Sequence, residues 1–310
     1  MTLQEYYKLP EGANVNLSYI PNWLEEKIDF PCPPNMSYAF AYWKGSIFPR
    51  IDTSNVKDMT FMFYGCENLS DFTKSPKWDV SNVTDMSHMF YNCKKLVDFD
   101  GKLDWNSSKV TKMSNMFYGC WGLSDLSQLS GLKTDSVTDM TYMFNSCTNL
   151  VDVVISDWNT SKVTSMKDMF AGCSNLVSLD LSQLDTSKVT NFGSLVYNCP
   201  KLTTLAALDC SGVNTKDQYP FQLYSNNTTI TNVGGFNGMK YSWNGNYGLR
   251  YCANLTYDSC INILNGLYDF TGNGETPGTN QGQLKVHANF LTTVGEEISI
   301  GVGKGWTITA

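Results

Sequence analysis

The chain has 310 residues, with 22 Lys+Arg against 29 Asp+Glu and a formal net charge of −7. Arg50 and Arg250 are its only arginines, so the bidentate phosphate reader is nearly missing; neither nucleic acid nor an anionic membrane is an expected partner. No apolar run reaches the roughly 18 residues that a membrane-spanning helix needs, which argues against membrane insertion.

The start, MTLQEYYKLPEGANV, has no charged stretch leading into an apolar one and does not read as a secretory leader. Two routes to the outside of a cell stay open, a leader lost upstream or release in a virus particle. Residues 1–50 are expected to form an N-terminal cap with a decayed repeat. Met36–Phe40 (MSYAF) echoes Met59–Phe63 (MTFMF), and Ile51–Val56 echoes a turn that recurs further on. Pro10, Pro21, Pro31, Pro33 and Pro34 argue against long helices there, Ile20–Ile28 excepted.

From residue 51 to 210 one phrase, Val-x-x-Met-x-x-Met-Phe-x-x-Cys-x-x-Leu, occurs five times, and a sixth time with substitutions. The copies begin at Val56, Val83, Val110, Val137, Val163 and Val189, and their cysteines fall at Cys66, Cys93, Cys120, Cys147, Cys173 and Cys199. Successive cysteines lie 27, 27, 27, 26 and 26 residues apart. Such a period is the signature of an α/β solenoid, in which each unit stacks on its neighbours. In the fifth copy Val163, Met166, Met169, Phe170 and Cys173 would line one side of a short helix. Gly172 stands where a left-handed residue would stop that helix. Leu176, Leu179, Leu181 and Leu184 then follow as the strand half of a leucine-rich repeat. Leu179 and Leu181 should point inward, Ser178 and Asp180 outward, with one short parallel strand per repeat. In three copies a tryptophan, Trp78, Trp105 or Trp158, replaces the last leucine.

Six of the ten cysteines share one place in the apolar stripe, so they read as buried, reduced thiols. Helices packed about 8–10 Å apart would also hold them beyond disulfide reach. No metal site is assigned, because there is no C-x-x-C pair and only His88 and His287 are histidines. No cofactor is expected either.

Residues 211–310 read as degenerate repeats and a C-terminal cap. Strands are expected around Thr229–Phe236 and Met239–Trp243, and a helix over Asp258–Leu267 behind an Asp cap. A strand at Leu284–Val286, a helix within Phe290–Val302 and a last strand at Trp306–Ile308 would follow. Thr271–Gly282 is Gly-rich enough for a mobile loop.

VTDMSHMFYNC (Val83–Cys93), together with LVSLDLSQLDTSKVT (Leu176–Thr190), resembles the BspA-like leucine-rich repeat of bacterial surface proteins. The resemblance covers about residues 50–210 of the chain. LTYDSCINILNGLYDFTG, LKVHANFL and GKGWTIT resemble the tail found in such proteins from gut Bacteroidetes and their phages. The resemblance implies a right-handed leucine-rich-repeat superhelix, extracellular display and a non-catalytic binding role. A signal peptide, a lipoprotein cysteine and a wall anchor are not visible in this sequence.

Chemistry beyond binding has no visible carrier: there is no Gly-x-Ser-x-Gly elbow, no HExxH and no P-loop, so an enzyme is not expected. Two groups of residues stand out as candidate ligand-binding sites. Asp71, Asp98, Asp125 and Asp152 occupy one column of the repeat, followed by Ser178 and Thr204. In register they would form either a stripe for a hard cation or polar ligand, or a solvated acidic face. Tyr241, Trp243, Tyr247 and Tyr251 are interleaved with Asn244 and Asn246, a pattern that suits sugar stacking, protein hot spots or internal packing. The expected function is an extracellular recognition or adhesion module, on a bacterial cell surface or a virion. It would bind a protein or glycan on a host or neighbouring cell, with homo-oligomer or virion neighbours as further partners. A structural virion component, such as a phage fibre or decoration subunit, is the alternative.

Overall fold

In the computed structural model, which describes residues 32–45, 51–70, 78–97, 105–213, 229–240, 249–277 and 281–310, the repeated phrase folds as overlapping turns and not as a helix. In the first copy the amides of Met62, Tyr64 and Cys66 donate to the carbonyls of Met59, Phe61 and Phe63, each three residues back. The amides between them leave the copy. Phe61, Phe63 and Gly65 donate to Ser87, Met89 and Tyr91 of the next copy at 3.0, 2.9 and 2.7 Å. A helix would send every amide four residues back along its own chain. Here half of them cross-link neighbours, and this difference overturns the expectation of one short helix per repeat.

The turns need two left-handed residues per copy, four apart. They are Phe61 and Gly65, His88 and Asn92, Asn115 and Gly119, Tyr142 and Ser146, with φ between 56° and 69°. Asp168 and Gly172, then Ser194 and Asn198, repeat the pair. A non-glycine residue costs about 1–2 kcal/mol in this region, and the cross-copy hydrogen bonds offset it. The apolar spacing still does its work, because Met59, Met62, Phe63 and Cys66 are all fully buried. Periodicity reports which side chains face inward; it does not report how the backbone bonds.

The molecule divides into two compact units, Met1–Leu150 with Asp157–Lys162, and Val151–Ser156 with Val163–Ala310. In the first, parallel bridges join Asn35, Asp58, Asp85, Lys112 and Asp139 in one column. A ladder of phenyl rings runs inside: Phe40, Phe63, Phe90, Phe117 and Phe144 stack at 5.5, 5.4, 5.4 and 5.6 Å. Beside it Trp78 lies flat on Trp105 at 5.7 Å. Buried hydroxyls tie the turns between copies, as where Thr53 Oγ1 donates to the Asp79 carbonyl and Ser107 Oγ to that of Lys133. After Leu123 a single 3₁₀ turn, Ser127–Leu129, takes the place of the expected strand.

In the second unit the leucine segments do form strands. β1 (Asp152–Val154), β2 (Ser178–Asp180), β3 (Thr204–Leu205) and β5 (Asn232–Val233) make a parallel sheet in that order. β4 (Leu208–Asp209) pairs with β6 (Phe236–Asn237). Leu179 and Leu181 are buried while Ser178 and Asp180 are half-exposed, as the alternation required.

The tail carries helices at Tyr257–Gly266, Ala288–Val294 and Ser299–Gly303, with β7 (Gln283–Lys285) parallel to β8 (Thr307–Thr309). Thr256, and not Asp258, caps the first of these helices: its hydroxyl accepts from the Ser259 amide at 3.3 Å. At the far end of that helix Lys304 Nζ donates to the carbonyls of Leu264, Asn265 and Leu267 at 3.4, 2.6 and 3.1 Å. A cation among terminal carbonyls satisfies groups that the helix itself leaves open.

All ten cysteines are free and buried, among them the six repeat cysteines for which this was expected. Distance between helices is not what keeps the repeat thiols apart. Each is turned to a carbonyl: Cys66, Cys93, Cys120 and Cys147 donate to Phe40, Phe63, Phe90 and Phe117 of the preceding copy at 3.0–3.2 Å.

A candidate aromatic recognition face

Positions five and eight after the first three repeat valines are half-exposed, and all but Asn115 carry rings. Tyr38, Phe61 and His88 form one column, stacked at 4.5 and 4.2 Å with planes within 13°. Tyr64, Tyr91 and Tyr118 form a second, at 4.9 and 4.4 Å. Contacts of 5.8 Å (Phe61–Tyr64) and 5.7 Å (His88–Tyr91) join the two. Tyr42 closes one end, edge-on to Tyr64 and lying over Gly65, where a Cβ would meet its ring at 2.7 Å. Tyr38 and Tyr42 are 47% and 58% exposed, values far from those of core rings.

The spacing of the rings follows from the backbone. Cross-copy bonds hold equivalent residues near the strand separation of about 4.8 Å, so an aromatic kept at one repeat position must stack on its equivalents. Ring faces are then spent on each other, and the edges and hydroxyls face outward. Partial burial and the neighbouring phenols raise the pKa values of Tyr64 and Tyr91, so these hydroxyls stay protonated and neutral. Ser87, Asn92, Ser114 and Asn115 neighbour the ring positions in the sequence, with Ser114 Oγ donating to Ser87 Oγ at 3.1 Å.

The bridged column borders this face. Asp58, Asp85 and Asp139 each accept from the amide two residues on, at 2.8–2.9 Å, and Lys112 Nζ lies 3.8 Å from Asp85 Oδ2. Asp85 also acts on His88, but burial of the imidazole outweighs it and holds the His88 pKa below its ordinary value. The Nδ1 atom of His88 is buried without a hydrogen-bond partner.

Of the sites expected from sequence, Asp71, Asp98, Tyr241, Trp243 and Tyr247 lie outside the described residues. Asp125 is exposed and caps the turn after it, accepting from the Ser127 amide at 2.8 Å and from the Ser127 hydroxyl. Asp152 is exposed at the head of a register column that continues as Ser178, Thr204 and Asn232. Among the described residues it is that column's single carboxylate. No group of three or more His, Cys, Asp or Glu that could hold a metal occurs among the described residues. Tyr251 is half-buried, in a short 3₁₀ turn. His287 caps the helix Ala288–Val294 through Nδ1, which accepts from the Asn289 amide at 3.1 Å.

Sequence reasoning passed over the Tyr64–Tyr91–Tyr118 column. Its signal was nonetheless present: an aromatic recurring at one repeat position, followed there by Asn145, Ala171 and Tyr197.

These features define a tandem-repeat protein with short parallel pairings and a half-exposed aromatic face. The chain belongs to the family described as "Mycoplasma protein of unknown function, DUF285", whose pattern matches residues 34–128 and 123–233. No curated protein matches it.

Proposed function

We propose that the chain is a non-enzymatic recognition module of the BspA-like surface type, displayed outside the cell. Within each unit the repeats would stack as a right-handed leucine-rich-repeat superhelix, which the cross-copy hydrogen bonds support. One observation carries the functional reading, the outward ladder of Tyr64, Tyr91 and Tyr118 among serine and asparagine side chains. Tyrosine offers large, rigid, amphipathic contact area at low conformational cost, while serine and asparagine supply adaptable hydrogen bonds. Recognition loops evolved for binding use the same palette. Stacking of the repeats does not require tyrosine at this position, because Asn145 and Ala171 hold it in other copies.

The test compares the wild-type chain with the Tyr64→Ser, Tyr91→Ser, Tyr118→Ser triple variant on host-cell surface extracts and a glycan array. Partners retained by the wild type and lost by a folded triple variant support the reading. Equal retention by both would remove this face from the function.

A further inference from the structure

We propose that Trp121 and the polar side chains around it form a glycan-binding subsite in the first unit, taking a pyranose ring against the indole. The site is separate from the tyrosine column and does not rest on that reading. Trp121 is 46% exposed, whereas the five other tryptophans among the described residues are buried. It stands directly after the repeat cysteine Cys120, where later copies carry Thr148, Ser174 and Pro200. Stacking of the repeats therefore does not demand an aromatic there. At the next residue, Gly122, a Cβ would meet the Leu96 carbonyl oxygen at 2.5 Å and Val97 Cγ1 at 2.8 Å. Two copies touch at that point, and glycine leaves no side chain beside the indole.

Polar groups are held around the ring. Lys94 Nζ lies 4.9 Å from its centroid and donates to Glu67 Oε1 at 2.6 Å. One residue further on, Lys95 Nζ donates to Asn68 Oδ1 at 3.2 Å. The hydrogen bond from Lys94 keeps the Glu67 carboxyl below its ordinary pKa, so it stays an anionic acceptor. Trp121 Nε1 and Glu67 Oε2 make no hydrogen bond among the described residues, which leaves one donor and one acceptor open. A pyranose has an apolar face of C–H groups and a rim of hydroxyls that both donate and accept. The indole suits the face, and the carboxylate, ammonium and amide groups suit the rim. Size favours a sugar over a protein surface. A stable protein interface covers about 800 Å² on each partner. Here the exposed apolar groups are Trp121 and Val97, with Glu67, Asn68, Lys94 and Lys95 close by.

The experiment screens the full chain on an array of neutral oligosaccharides built from hexoses and N-acetylhexosamines. The best-retained sugar is then titrated while tryptophan fluorescence is followed. Wild type should retain at least one of them, with a fluorescence change, because the exposed indole is the one touched. Trp121→Thr, a substitution that Thr148 shows the repeat to accept, should bind that sugar about tenfold more weakly with an unchanged melt. The Tyr64→Ser, Tyr91→Ser, Tyr118→Ser triple variant should bind it as wild type does. If a folded Trp121→Thr chain is not obtained, Glu67→Ala replaces it, since that change removes the acceptor and frees Lys94, and it should also weaken binding. No sugar retained by wild type, or one bound equally well by the Trp121→Thr chain, overturns the proposal. A sugar lost by the tyrosine triple variant and kept by Trp121→Thr would end this site and leave the tyrosine column as the recognition surface.

Discussion

His88 lies flat on Phe61, ring centroids 4.2 Å apart and planes 13° from parallel, on a backbone held at φ 60°. The imidazole is a rung of the outward ladder and its Nδ1 has no partner. Protonation would add a second donor where one nitrogen is already unsatisfied. Burial therefore depresses the folded pKa, overriding Asp85, whose charge Lys112 partly balances. The folded state prefers neutral His88, so its contribution is complete above the ordinary value of 6.5. That stability is lost as pH falls from there toward the lower folded pKa. The melting temperature should drop over this window in wild type, and less steeply in His88→Asn, which keeps a residue tolerant of left-handed backbone. Identical slopes for the two proteins would show that His88 does not titrate as placed.

Phe90 sits between Phe63 and Phe117 at 5.4 Å on either side, and its carbonyl accepts the Cys120 thiol. Phe90→Ala removes a rung that touches copies above and below, and the stacked backbone cannot collapse to fill the gap. The expected loss is about 3–5 kcal/mol in a urea melt. A loss below about 1 kcal/mol would mean that the ladder is not close-packed.

What the sequence made legible was the inward face. Met59, Met62, Phe63, Cys66 and their equivalents were identified correctly because burial acts on side-chain spacing alone. The path of the backbone was not legible from the same spacing. Apolar residues three and four apart serve a helix and a row of turns equally well, and the deciding bonds run to residues 25 or 26 positions away, as from Phe61 to Ser87. Gly65, Asn92, Gly119, Ser146, Gly172 and Asn198 carried the clue, since glycine and asparagine favour left-handed backbone. The tail helix at Tyr257–Gly266 was legible because its capping and apolar period are local. The half-exposed tyrosine column was obscured by the opposite circumstance: the position accepts Tyr118, Asn145 and Ala171 alike, so nothing in one copy marks the site.

The repeat thiols should be chemically silent in the native chain. Burial raises the pKa of Cys120 and Cys147 far above the ordinary thiol value, and pushes Cys199 and Cys252 up to about 12. The thiolate is the reacting species. An aromatic disulfide reagent at neutral pH should therefore find almost no free thiol until denaturant is added, and then ten per chain. Rapid labelling of Cys93 or Cys120 in the folded protein would contradict their burial.

Glycines in the second unit separate backbone contact from backbone conformation. At Gly234 a Cβ would stand 2.3 Å from the Ala207 amide nitrogen, and the Gly234 amide donates to the Leu205 carbonyl at 2.9 Å. Backbone on both sides leaves no flexible side chain to give way. Gly234→Ala should thus force β3 and β5 apart, with a cost of a few kcal/mol, in the range of core overpacking. At Gly303, which ends the helix Ser299–Gly303, a Cβ would meet nothing within 4 Å. Gly303→Ala should be neutral or stabilise by up to about 1 kcal/mol, the helix-propensity difference. Paired thermal melts of the two variants decide the matter. A tolerated Gly234→Ala would show that the parallel register at β3 and β5 can shift, and equal losses at both sites would point to glycine flexibility and not to the close approach at Ala207.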